Sequence, residues 1–284
     1  MAVKDFRIIH RGCYTPGEVS ILASPDVKRF SASTQRLIKA AWESAKLDPD
    51  LNLFNSRVLS YAGYSKRREG LAVKVQITDY KSFYGTNVCN HATLPKDQLA
   101  NALAVCGVVM SKDGAILMGK RSTQVAEDRQ HWHVIGGTME LSRDLYGYRA
   151  SREVFELMCR RELDPFLHIM RELNEELGID PFDVCDIVCM GLGENLLIGK
   201  PELLMLVNVT LTARQLRECA PHAIWQGEHS SLITLPLEDI AMFVHDYPVA
   251  PIGKAALFAC LGLHLEQENW PRVPLDELSA RIGF

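Results

Sequence analysis

Three glutamates crowd into five positions of the segment MRELNEELGID, residues 170 to 180: Glu172, Glu175 and Glu176. On a helix Glu172 faces both of the others, and like charges three or four residues apart repel by roughly 0.2–0.5 kcal/mol each. Arg171 can pair with Glu175 and relieve part of this. Glu176 projects to the edge of an apolar stripe, where burial without a partner would push its carboxylate toward the protonated form. A divalent cation removes both penalties, and carboxylate oxygens suit Mg²⁺, with Mn²⁺ as the alternative. An acidic helix face on its own is ordinarily a solvated one. Here the segment IGGTME lies upstream, and its Gly136-Gly137 pair lets backbone approach a ligand closely.

The helix that carries these glutamates has its own start and stop signals. Asp164 suits the N-cap, Pro165 the first helical position and Gly178 the position just past the end. Phe166, Ile169, Met170, Leu173 and Leu177 form one apolar stripe that must bury against a sheet or another helix. Upstream, AVCGVVMSKDGAILMGKR reads as two apolar strands joined by Lys112-Asp113-Gly114, a hairpin signal. The stretch HWHVIGGTMEL then reads as a loop, followed by helices near 150 to 162 and 165 to 177. Strands are expected at about 184 to 191, 202 to 212 and 230 to 236, and helices at LEDIAMFVHD and GKAALFACLGLHLEQE. Strands interleaved with helices and opened by a hairpin predict an α/β fold, a mixed sheet sandwiched between helices. Residues 1–98 form an amino-terminal α/β region, with a helix at 33 to 46 and strands at SRVLSYAG and GLAVKVQIT, ahead of a domain at 99–284.

Composition narrows the function classes. With 284 residues, 47% hydrophobic and 23% charged, the chain can bury a substantial core. A formal charge of -4 gives no global basic field, so no nucleic-acid partner is expected. The longest apolar runs, such as LLMLV at 203 to 207, are too short to span a bilayer, and no secretory h-region follows MAVKDFRIIHRG, so no membrane partner and a cytoplasmic location are expected. The eight cysteines are scattered without CxxC pairs and read as reduced, mostly packing residues.

The residues 171 to 179, RELNEELGI, match in full the second half of the signature G-x5-E-x7-R-E-U-x-E-E-x-G-U, in which U is a large aliphatic residue. The chain thereby resembles the Nudix hydrolase family, with Gly136, Gly137 and Glu140 resembling the opening of the box. Two departures stand out: Arg143 occupies the place of the first glutamate, and Arg171 arrives 20 residues late, implying an insertion at about 143–162. Glu153 or Glu162 could replace the missing carboxylate in space. AAWESAK, QITDYKSFYGTN, KRSTQVAE, the split box and GEHSS, in this order, are similar to the Nudix-type UDP-glucose and UDP-galactose hydrolases.

That resemblance implies an α/β/α sandwich and Mg²⁺-dependent cleavage of a nucleoside diphosphate sugar to UMP and a sugar 1-phosphate. It implies Glu172 and Glu176 as metal ligands, Glu175 as a further ligand or base, the Gly136 carbonyl as a ligand, and Arg171 as a brace for the carboxylates. Glu228, in GEHSS, is the matching candidate for activating water. For substrate, Phe83 and Tyr84 could stack on a base and Thr86 and Asn87 read its edge, although packing and turn formation explain the same residues. Arg121, Ser122 and Gln124 could face phosphate or ribose, and Asn195 and Lys200 could line the pocket. Competing readings are hydrolysis of another nucleoside diphosphate derivative, such as ADP-ribose, a dinucleotide or a coenzyme A ester, and a non-catalytic nucleotide-binding regulator.

Other apparent motifs fail on physical grounds. GAILMGKRS has the glycines and lysine of a phosphate-binding loop, but its intervening residues form an apolar strand. GLGEN at 191 to 195 lacks a third glycine and a following helix, and reads as a loop. In HWH at 131 to 133, alternation around Trp132 favours packing or stacking over metal binding.

Overall fold

Alternate residues of strand β5 (Ala104–Met110) enter two different cores. Val105 and Val109 pack with Ile169, Leu173 and Leu177 of helix α3 (Pro165–Leu177), whereas Cys106 and Val108 pack with Ala255, Ala256 and Ala259 of helix α6 (Pro251–Glu266). Strand residues two apart share a face. The sheet therefore lies between the two helices, the α/β/α sandwich that the interleaved elements predict. Strands β6 (Ala115–Arg121) and β10 (Lys200–Val209) divide in the same way: Leu117, Leu203 and Met205 face α3, and Ile116, Met118 and Leu204 face α6. The computed structural model describes residues 5–68, 70–141, 163–219, 227–269, 272 and 274–282. The expected helix near 150 to 162, the insertion at about 143–162, Arg143, Glu153 and Glu162 lie outside them.

The large sheet runs β1 (Phe6–Tyr14), β9 (Val184–Asn195), β10, β5, β6, β11 (His229–Pro236), with only β10 and β5 parallel along that path. The β5–β6 hairpin turns at Gly114, whose φ of 81° suits glycine. Its two strands pair only near the turn, Val109 with Leu117 and Met110 with Ile116, and then splay apart. Into the opening come β7 (Trp132–His133) on β6 and β8 (Ile135–Thr138) on β5. The stretch expected as a loop is thus two short strands. Gly136 is required there, because a Cβ would come within 2.1 Å of the Val105 carbonyl oxygen.

Helix α3 follows its signals. Asp164 accepts from the amides of Phe166 and Leu167, and Gly178 closes the helix at φ 68°. Phe166, Ile169, Leu173 and Leu177 are at most 2% exposed, and burying each contributes about 1.5–3 kcal/mol.

A second sheet, β2 (Val19–Val27), β4 (Gly70–Asp79) and β3 (Arg57–Arg67), covers the α3 side: Leu59, Leu71 and Val73 share one core with Ile169 and Leu173. The amino-terminal residues 6–14 instead supply edge strand β1 of the large sheet. Helix α1 (Ala32–Ala45), capped by Ser31, buries Ile38 and Trp42. The Trp42 ring meets Tyr80 and Tyr84 edge-on. GLGEN, expected as a loop, continues β9 through Asn195, because residues 191–195 pair with β1 on one side and β10 on the other, and a Cβ at Gly191 would meet the His10 carbonyl oxygen at 2.1 Å. Trp132 packs against Phe243 of α5 (Ile240–Asp246), as alternation around it predicts. No described helix is long and apolar enough to cross a membrane.

Candidate active site

The splayed hairpin, α3 and the start of β11 enclose a cleft of about 550 Å³. That size falls within the range of about 300–1,000 Å³ common for small-molecule sites. Glu172, Glu175 and Glu176 line it from α3, Gly136 and Gly137 from β8, Glu140 from just beyond, and Glu228 from the turn before β11. Glu140 is oriented by the amino-terminal region, since Ser56 Oγ donates to its Oε1 at 2.7 Å.

Two helix glutamates each meet a buried imidazole. Glu176 Oε2 lies 2.7 Å from His229 Nε2, with both side chains buried. Glu172 Oε1 lies 3.0 Å from His168 Nε2, off the line of an aligned hydrogen bond. Arg171 donates to His168 Nδ1 at 2.5 Å, which makes Nδ1 an acceptor and leaves the proton on Nε2, toward Glu172. Arg171 Nε stands 3.9 Å from Glu175 Oε1, half exposed, so this ion pair is weak.

The second oxygen of Glu176 carries the most information. Oε1 is buried and has no hydrogen-bond partner among the described residues. Burial, then the Glu228 and Glu172 charges, push this carboxyl well above the usual range. Burial also raises Glu228, and burial together with Glu172 raises Glu175. Burial lowers His229 to about 4, with Arg121 acting in the same direction.

Two of the three fixed cations of the cleft, Arg121 and Lys200, come from β6 and β10. Lys200 Nζ lies 3.0 Å from Glu127 Oε2 and 3.5 Å from Glu202 Oε1, and Arg121 Nε donates to the Glu127 carbonyl at 3.0 Å. Lys200 is shifted upward and Glu202 is also shifted upward, to about 7, which looks contradictory for an ion pair. Two carboxylates share one ammonium, however, and the buried Glu202, at the longer distance, is left undercompensated. In all, eight carboxyl groups line the cleft against Arg121, Arg171 and Lys200.

Of the residues singled out in the sequence, Arg121, Gln124, Gly136, Arg171, Glu172, Glu175, Glu176, Lys200 and Glu228 line this one cleft. Phe83, Tyr84, Thr86, Asn87 and Asn195 are not in its lining. Thr86 Oγ1 donates to the Ser82 carbonyl and accepts from the Ala100 amide. Asn87 Nδ2 donates to Asn101 Oδ1 and to the Ile198 and Gly199 carbonyls. Phe83 is fully buried with the Lys200 ammonium 5.5 Å from its ring centroid, and Asn195 Oδ1 accepts from the Leu197 amide. FYGTN thus splices backbone to backbone. The aromatic residues that do line the cleft are Phe54, 61% exposed, and Tyr80. His168 is legible from the period of α3, one turn before Glu172, whereas Glu127, Glu202, His229 and Phe54 reach the site through long-range packing.

Together, fold and site define an α/β/α sandwich whose split sheet cradles an acid-rich, small-molecule-sized cleft. No protein-family model matches the chain, and no curated protein does. Among solved structures it is similar to DR0079 from Deinococcus radiodurans, at 13% identity over 56% of this chain and 81% of that one, with a TM-score of 0.36. It is also similar to an Ap4A hydrolase from C. elegans (18% identity, 58% and 98% covered, TM-score 0.33) and to the MutT protein of Methanosarcina mazei Go1 (18%, 54% and 88%, 0.29).

Proposed function

We propose that the protein is a Nudix-type, Mg²⁺-dependent pyrophosphohydrolase that cleaves a nucleoside diphosphate derivative, of the UDP-glucose or UDP-galactose type, to UMP and a sugar 1-phosphate. The observation that carries this reading is the convergence of Glu172, Glu175, Glu176 and Glu228 on one cleft, with the buried Glu176 Oε1 lacking a partner. Among the described residues no three such side chains are preassembled as a metal cage. The donor chemistry nevertheless fits a hard divalent cation: burial and the Glu228 and Glu172 charges raise the Glu176 carboxyl, and Glu172 rests in a cradle at Gly137 that a Cβ would fill. Glu172 and Glu176 would hold the ion, with Glu175 and the Gly136 carbonyl as further donors. When bound, it supplies positive charge to the phosphate oxygens and acidifies water.

Charge balance supports a cation-dependent reaction. Eight carboxyl groups against three fixed cations would repel a diphosphate that came alone. In hydrolysis, water oxygen bonds to one phosphorus, the anhydride P–O bond breaks, and the departing phosphate keeps the bridging oxygen. Glu228 takes the proton from water, a role for which its raised pKa suits it better than an exposed carboxylate. Arg121 and Lys200 receive the phosphates and the polar end of the substrate, releasing part of their pairing with Glu127.

The test is phosphate-ester release from UDP-glucose, UDP-galactose, ADP-ribose, a dinucleotide and a coenzyme A ester, each with Mg²⁺ and with EDTA. Turnover fastest on a UDP-sugar and abolished by EDTA is expected. A faster rate on an ADP compound would replace the substrate assignment, and no turnover on any of them would remove the hydrolase reading.

A further inference from the structure

The start of β11 is built around one side chain. Along β6, Leu117, Gly119 and Arg121 face α3, and on β11 His229 pairs with Arg121 and Leu232 with Gly119. An unbroken antiparallel ladder would put residues 229 and 231 on one face; the register shift between His229 and Ser231 inserts an extra residue, so 229 and 232 share it instead. The bulge aims His229 at α3 while Leu232 still packs on the core. The imidazole then lies directly over Gly119, where a Cβ would come within 2.3 Å of Nδ1. From there Nε2 reaches Glu176 Oε2 at 2.7 Å, with Nδ1 buried and unpartnered among the described residues. Three features, a bulge, a glycine and a buried ring without a second hydrogen bond, thus serve one contact.

We propose that His229 is a positioning residue for Glu176: it holds Oε2 and thereby presents Oε1 to the metal ion of the adjacent cleft. The proposal rests on the metal-site reading given above. A flexible glutamate has several rotamers, and a ring locked under a strand removes all but those that meet Nε2. Outer hydrogen bonds of this kind commonly change metal affinity by about 10–100-fold when removed.

Direct Mn²⁺ binding, followed by the free-ion electron paramagnetic resonance signal without substrate, separates the claims. Wild type should bind. His229→Leu should bind about 10–100-fold more weakly. His229→Gln, whose amide can donate from nearly the same place, should recover most of the affinity. Gly119→Ala should weaken binding as His229→Leu does, although it leaves the imidazole in the chain. If His229→Leu does not fold, as judged by its melting curve, the comparison of His229→Gln with Gly119→Ala decides. Equal Mn²⁺ affinity in wild type and all folded variants overturns the positioning role and leaves the metal site standing. A wild-type protein that binds no Mn²⁺ overturns both.

Discussion

The carboxylate of Glu172 lies against the backbone of Gly137: a Cβ built on that glycine would stand 2.5 Å from Oε2. The neighbouring Gly136 would instead meet the Val105 carbonyl at 2.1 Å, across the β5–β8 ladder. Adjacent glycines therefore do different work, one making room for a side chain and the other for a strand. Gly137→Ala should displace Glu172 and lower kcat/KM by about 10–100-fold while the melting temperature stays near that of wild type. Gly136→Ala should cost stability first, because a backbone cannot step aside as a carboxylate can. Melting curves and steady-state kinetics on both variants check the contrast, and matching losses of stability would refute it.

Glu176→Gln separates activity from stability. The substitution keeps size and the contact with His229 but removes a buried ionisable group whose pKa is pushed upward by burial and by Glu228. Loss of the proposed metal ligand should reduce kcat by at least about 100-fold, a loss of roughly 2.7 kcal/mol in barrier lowering. The melting temperature should hold or rise, since the folded state no longer carries an undercompensated carboxyl. A variant that keeps wild-type turnover would make the glutamate structural.

The parts of this site legible in the sequence are those encoded locally. Asp164, Pro165, the apolar stripe and Gly178 specify α3 within 15 residues, and the glutamates follow from its period. The β5–β6 hairpin is marked by its turn. Strands β7 and β8 are not, because elements of two and four residues depend on partners in β6 and β5 rather than on their own alternation. Strand β1, FRIIHRGCY, is interrupted by charge and glycine and is held by pairing to β9. Helices α4 (Ala213–Cys219) and α7 (Leu275–Ile282) are short, and although Thr212 and Gln215 form a reciprocal capping box at the start of α4, neither helix is long enough to show an apolar stripe like that of α3. FYGTN misleads for a different reason: hydroxyl and amide groups that could read a base serve equally well to satisfy buried carbonyls, and only tertiary structure tells which they meet.

Phe54 offers a specificity test that leaves the chemistry alone. It lines the cleft from the amino-terminal region while remaining 61% exposed, beside Asn52, whose amide donates to the Gln124 carbonyl. An exposed ring loses little packing on truncation. Phe54→Ala should raise KM by about 3–30-fold, a loss of roughly 0.7–2 kcal/mol in binding, with kcat and melting temperature nearly unchanged. An unchanged KM for every substrate in the panel would remove Phe54 from the binding surface.

His133 makes the fold sensitive to acid. Burial, reinforced by the Arg121 charge, lowers its pKa from 6.5 to about 3, and its Nδ1 contacts the Val134 carbonyl. The sign follows from linkage: between pH 3 and 6.5 the unfolded chain takes up a proton at this ring that the folded chain refuses. The contribution to stability is therefore complete above pH 6.5 and declines as pH falls toward 3. At pH 5 the loss from this one group is about 2 kcal/mol relative to pH 8. His229, lowered to about 4, adds a loss of the same sign, so wild type alone does not isolate His133. Urea unfolding at pH 8 and pH 5 should be compared between wild type and His133→Gln. The variant will be less stable at both values through lost packing, but its stability should fall by about 2 kcal/mol less between them. Equal pH dependence in the two proteins would show that the imidazole is charged in the fold, and that Arg121 and burial do not hold it neutral.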